Sequence, residues 1–147
     1  IAGVFNVYGV GNAERLKIYV DAVEKTISYV CTIPATLTFS TAAVEIGRMG
    51  DLSRYWNGDI DEIPIFKTNA SAAQVLEIYN NGKPNNLLKN SASSDLVYYN
   101  RMGDGAIFDG TNWSFPDESI NNNSVDTLLK FLTTHCKNFK SFSVLLI

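Results

Sequence analysis

The chain has 147 residues, 46% hydrophobic and 12% aromatic, with a formal net charge of −3 at pH 7. That length suits one domain with a sizeable core, and the scattered Lys and Arg form no basic face able to displace phosphate counterions, which excludes nucleic acid as a partner. No uninterrupted apolar stretch approaches the roughly 20 residues needed to cross a bilayer, so no membrane insertion is expected.

The chain opens on the strand-like run Ile1-Ala2-Gly3-Val4-Phe5 with neither an initiator Met nor a signal-peptide pattern, and the numbering is expected to begin inside a domain. Val4 to Tyr8 reads as a strand, and Gly9-Val10-Gly11-Asn12 as the turn that follows it. Leu16-Lys17-Ile18-Tyr19-Val20-Asp21 alternates apolar and polar residues, and Ile27-Ser28-Tyr29-Val30 resumes the pattern as the second arm of a hairpin, which predicts a three-stranded meander. Short strands are expected at Thr36 to Phe39 and Val44 to Gly47, then a loop from Arg48 to Gly58, then a strand from Asp59 to Phe66. Pro64 cannot donate to a ladder, so an edge or a bulge is expected there.

One helix is predicted after this, capped by Asn69 or Ser71, with Ala72, Val75, Leu76 and Tyr79 on its apolar face and Asn80-Asn81-Gly82 as its stop. From Lys83 to Ser94 the rise in Pro, Asn and Ser predicts a linker or long surface loop. Leu96-Val97-Tyr98-Tyr99 reads as a strand, and Gly103-Asp104-Gly105 and the stretch from Asp109 to Asn123 read as turns. The tail from Val125 to Ile147 is apolar, basic and poorly organised for a strand, although Leu128, Leu129 and Leu132 suit one face of a short helix. Cys31 and Cys136 lack metal-type spacing, which leaves buried thiols or a single disulfide.

Taken in order, Ile1 to Phe5, Leu16 to Asp21, Ile46-Gly47, Trp56-Asn57-Gly58-Asp59-Ile60-Asp61-Glu62-Ile63 and Ala72 to Tyr79 resemble the C-terminal half of a laminin-G-like or pentraxin-like (concanavalin A-like) jelly roll. The resemblance covers residues 1–82. Ala22 departs from it by standing where the family's hairpin carries a turn Gly, which predicts a different turn or a longer loop, and Pro64 departs by interrupting the strand after Glu62. Asp95 to Tyr99 and Pro116 to Asn123 resemble the opening of a second copy.

The resemblance therefore implies an all-β, antiparallel jelly-roll β-sandwich with one short helix. Residues 1–82 would be the back half of one unit, 83–94 a linker, and 95–147 the start of a second copy or a completing strand followed by an irregular tail. Such a window supplies about half the strands of a sandwich, which predicts an exposed apolar face and self-association through open sheet edges. It also implies an adhesive or structural protein, extracellular or on a virion surface, with a glycan or a surface protein as partner.

The loop from Arg48 to Gly58 is the best binding candidate. Arg48, Asp51, Arg54, Tyr55, Trp56 and Asn57 combine aromatic faces with charged and amide groups, which suits sugar rings on a segment that a rigid sheet could present. In pentraxins the matching loop contributes calcium ligands, and the resemblance implies Asp51, Asn57 and Asp59 for that role here. The alternative is that Tyr55 and Trp56 cover the edge of the core.

Asp59, Asp61 and Glu62 do not form the Glu-x-Asp-x-x-Glu pattern of jelly-roll glycosidases, because adjacent strand residues point to opposite faces. No catalysis is expected. The apolar alternation slips between Ile60 and Ile63, which drives Asp61 or Glu62 towards packed surface, with backbone N–H groups of a turn or of the helix near Ser71 as its expected donors. His135 and Cys136 are adjacent, which is poor geometry for a nucleophile and base pair. Asn69, Asn112 and Asn122 begin N-x-S acceptor sequences for glycosylation. The rival readings are an architectural spacer without ligand and a fragment of a glycoside-active enzyme.

Overall fold

A computed structural model of the chain describes residues 1–36, 46–47, 54–111, 113–121 and 141–145. They form a small β-rich fold of antiparallel sheets with one short helix. The main sheet has six strands: β1 (Ala2–Asn6), β2 (Leu16–Val20), β3 (Val23–Lys25), β4 (Ile63–Phe66), β5 (Leu96–Asn100) and β8 (Ser141–Leu145), in the spatial order β3-β2-β1-β8-β4-β5. A two-stranded ribbon, β6 (Ile107–Phe108) and β7 (Trp113–Ser114), stands apart from it.

The meander exists, with a different third strand from the one expected. Between β1 and β2 the chain makes a single helical turn, α1 (Asn12–Arg15), and passes so close to Gly9 that a Cβ there would lie 2.6 Å from the Glu14 backbone. Val20 pairs with Val23, so the β2–β3 hairpin is closed by two residues only, Asp21 at φ 53° and Ala22 at φ 59°. Both central residues at positive φ is the requirement of a type I′ turn, which matches the strand twist. The turn keeps the tight geometry that a Gly would favour, with Ala in its place, and no longer loop is used.

The Ile27–Val30 segment is not a strand. Side chains of α1 and the Tyr29 ring hold this region: Arg15 donates to the Gly9 and Ile33 carbonyls at 3.1 and 2.8 Å, and the Tyr29 hydroxyl donates to the Leu16 carbonyl at 3.0 Å. Asn12 donates to the Cys31 carbonyl at 2.9 Å and accepts from the Ile33 N–H at 2.8 Å. Cys31 is an exposed free thiol rather than a buried one.

β8 lies between β1 and β4, pairing Gly3 with Val144 and Phe5 with Phe142 on one side and Ile65 with Val144 on the other. The tail read as poorly organised for a strand thus supplies a central one, which joins the N-terminal meander to β4 and β5. Pro64 sits in an interior strand, and the pairing of β4 with β8 begins one residue later, at Ile65. The proline therefore lies beyond the end of that ladder, where no donor is needed. The irregularity in the sheet falls nearby: Ile65 pairs with Tyr98 and Phe66 with Leu96, so Val97 is an extra residue that bulges β5.

The helix α2 (Ala72–Tyr79) starts at Ser71 through a capping box. Gln74 N–H donates to Ser71 Oγ at 3.2 Å and Ser71 N–H donates to Gln74 Oε1 at 2.9 Å, an arrangement that contributes about 1 kcal/mol. It ends at Asn80, which is left-handed at φ 45°. Its buried residues are Val75 and Ile78, and Leu76 points to solvent.

Val75 and Ile78 pack with Phe66, Leu96, Tyr99, Ala2, Val4 and Tyr19 against one face of the sheet, and the segment read as a linker, 83–94, sends Leu87 and Ala92 into the same core. Full burial of a side chain such as Leu87 stabilises by about 1.5–3 kcal/mol. The other face carries Phe5, Ile63, Ile65 and Tyr98, each no more than 6% exposed. The exposed apolar face expected of a half sandwich is not present at these positions.

Candidate functional site

Two hydrogen bonds hold Trp56. Trp56 N–H donates to the Gly47 carbonyl at 2.7 Å, and the indole Nε1 donates to the Asp59 carbonyl at 3.2 Å. Gly58 lies close to the indole's polar edge: a Cβ there would stand 3.0 Å from Nε1, so a larger residue would press on the ring. The ring is thereby held by its polar edge. Even so, Trp56 is 51% exposed and its neighbour Tyr55 is 66% exposed. Both rings therefore present much of their surface to solvent.

Arg54, Asn57 and Asp59 are exposed on the same short segment, so Arg54, Tyr55, Trp56, Asn57 and Asp59 are all presented to solvent within six consecutive residues. Arg48 and Asp51 lie outside the described residues. Among the described residues no three His, Cys, Asp or Glu side chains come together as a metal-holding group. Asn69 is exposed. Asn112, Asn122, His135 and Cys136 lie outside the described residues.

Behind this loop the chain turns inward. Glu62 adopts φ 49° and is 2% exposed, while Asp61 stays at the surface and accepts from the Glu62 N–H at 2.9 Å. The slip in alternation thus drives Glu62 to the packed side, as expected, but its donors are side chains of β5 and the turn after it rather than the backbone of α2. The Tyr99 hydroxyl donates to Glu62 Oε2, and Arg101 Nε donates to Oε1 at 3.1 Å. Arg101 also meets Asp104 at 2.9 Å and Glu118 at 4.0 Å. The register explains the meeting: Ile63 pairs with Asn100, so Glu62 and Arg101 are the next residues on either side of the β4–β5 ladder.

Burial first, then the bond to Glu62, raises the Tyr99 phenol well above its ordinary range. The same carboxylate raises the Arg101 guanidinium. Sequence reading missed Tyr99 and Arg101 in these roles, because the pairing of β4 with β5 that brings them to Glu62 spans the whole of α2.

The outer side of β5 is also occupied. Asp117, 7% exposed, accepts the Tyr99 N–H at 2.9 Å, the Ser119 N–H at 2.8 Å and the Ser119 hydroxyl at 2.8 Å. These polar groups cross-link the 117–121 segment to the sheet.

Chemically, the two regions differ. The Glu62 cluster is closed, internally satisfied and pinned between strands, whereas the 54–59 segment offers two accessible aromatic side chains with amide, carboxylate and guanidinium groups beside them. Comparison with protein-family models, with curated proteins and with solved structures finds no match to this chain.

Proposed function

We propose that the chain is a non-catalytic binding module of a larger extracellular or virion-surface protein, built as a laminin-G-like, concanavalin A-like jelly-roll sandwich, and that it holds a glycan against Tyr55 and Trp56. The observation that carries this reading is the exposure of both rings, with Trp56 held by bonds to the Gly47 and Asp59 carbonyls. A ring whose polar edge is already bonded and whose backbone is anchored loses little freedom when a sugar stacks on it. Asn57, Arg54 and Asp59 supply hydroxyl partners beside the rings, and Arg48 and Asp51 are the further candidates that the sequence offers. Asp51, Asn57 and Asp59 are oxygen donors of the kind calcium takes.

A binding rather than catalytic role is supported by the use already made of the carboxylates. Glu62 is turned inward and bonded to Tyr99 and Arg101, and Asp61 accepts the Glu62 backbone N–H, so neither is poised as an acid or nucleophile towards solvent. The order of hairpin, Gly58-Asp59-Ile60-Asp61-Glu62 strand approach and short helix is what favours the jelly-roll assignment. A glycan array probed with the whole chain tests the function. Retention of a defined glycan class supports it, and a blank array across sialylated, neutral and sulfated glycans would return the chain to an architectural spacer.

A further inference from the structure

Sheets expose their outermost strands, and this one manages its two edges differently. β3 is three residues long, exposed at every position and charged at Glu24 and Lys25, a composition that discourages strand addition. β5 is the opposite: Leu96-Val97-Tyr98-Tyr99-Asn100 is uncharged, rich in strand-forming residues and buried at every position. Among the described residues, what meets its outer side is a strap, residues 117–121, that answers the strand's outward groups one by one.

Asp117 Oδ1 takes the Tyr99 N–H and the Glu118 N–H donates to the Tyr99 carbonyl at 2.8 Å. The Ser119 hydroxyl lies 3.1 Å from the Val97 carbonyl, and Asn121 Nδ2 donates at 2.8 Å to the Leu96 carbonyl that the bulge turns outward. Only one of these bonds is backbone to backbone. The strap imitates a neighbouring strand chiefly with side chains.

We propose that the strap is an intramolecular guard on β5, and that its release opens β5 for antiparallel pairing with β5 of a second copy of this chain. The strand is complementary to itself. Tyr99 turns both its N–H and its carbonyl towards the strap, and Val97 turns its carbonyl the same way, as residues facing a neighbouring antiparallel strand do. A two-fold axis through Tyr98 sets Val97 of one copy opposite Tyr99 of the other, so that each Tyr99 N–H meets the partner's Val97 carbonyl.

The same axis brings Asp95, in the turn leading into β5, towards Arg101 of the other copy at both ends, an acid against a base twice over, in competition with their own-chain partners Lys67 and Glu62. Both side chains are partly exposed, at 35% and 30%. The resulting interface is isologous and closes at two copies, as a two-fold contact must.

Light scattering on the whole chain tests this, comparing the wild type with Asp117→Ala/Ser119→Ala. The wild type should scatter as the 16.2 kDa monomer, and the strap variant, with circular dichroism still native, at twice that mass. Asp95→Arg added to the strap variant sets Arg against Arg and should return it to monomer. If the double substitution prevents folding, Ser119→Ala alone, which leaves Asp117 in place, is read in the same way. A dimeric wild type, a folded strap variant that stays monomeric at every concentration, or association that grows past two copies and ignores Asp95→Arg would each overturn the proposal.

Discussion

The Tyr99 hydroxyl on β5 donates to the carboxylate of Glu62, the residue before β4, a contact between residues 37 apart in sequence and both buried. Arg101 completes the arrangement from the exposed side. A buried carboxylate costs several kcal/mol to desolvate and survives only where donors surround it. Tyr99→Phe removes one donor while keeping the ring, and should lower unfolding free energy by about 1–3 kcal/mol, measured by urea titration. A change within error would mean that Glu62 is satisfied without the phenol.

Stability should fall at alkaline pH through the buried phenols. Burial is the first cause that raises Tyr19, Tyr98 and Tyr99 above the ordinary value of 10.0. A folded-state value above the unfolded one gives a contribution that is complete below about pH 10 and is lost as pH rises through the folded values. Tyrosinate absorbance should therefore show these three rings ionising together with unfolding, and Tyr99→Phe should flatten the decline. A stability curve level well above pH 10 would contradict this.

Ala22→Gly should stabilise the chain. Ala22 is held at φ 59° in a two-residue turn, a conformation that disfavours any Cβ. Relief of that strain outweighs the added freedom of Gly in the unfolded chain, giving a gain of roughly 0.5–1 kcal/mol, less what the methyl contributes by packing on the core. Thermal denaturation reads the result, and a lower melting temperature would show the methyl contact to be worth more than the strain.

How much of this was legible in the chain depends on the range of the interactions. Leu16–Val20, Leu96–Tyr99 and the Ser71-x-x-Gln74 start of α2 carry local signals, period-two alternation or a cap, and each forms an element. Ile27 to Val30 carries the same alternation and forms no strand, because Arg15, Asn12 and Tyr29 tie that region down by side-chain bonds. Ser141-Phe142-Ser143-Val144 alternates too, but reads as an apolar chain ending until β1 and β4 stand on either side of it. The inward turn of Glu62 was readable from the slip around Ile60. Its partners were not, since Tyr99 and Arg101 arrive through strand pairing. The exposure of Tyr55 and Trp56 likewise required the fold, as an aromatic pair beside a strand serves equally well inside.

Calcium tests the ligand set at the aromatic loop. If Asp51, Asn57 and Asp59 bind the ion, calcium on the order of millimolar should raise the melting temperature by mass action. Chelation should reverse the rise, and Asp59→Ala should abolish it. No rise with calcium and no change on chelation would remove the metal from the account.

The proposed glycan site requires Trp56 to be a binding surface and not part of the core. Trp56→Ala measured in parallel for glycan affinity and for melting temperature addresses it most directly, with a glycan retained on the array as the probe. The substitution should cost about 1–3 kcal/mol in binding, the scale of an aromatic anchor, with the melting temperature nearly unchanged because half of the residue's surface already faces solvent. A fall in melting temperature with affinity retained, or a proportional loss of both, would make Trp56 a structural residue and contradict the binding role.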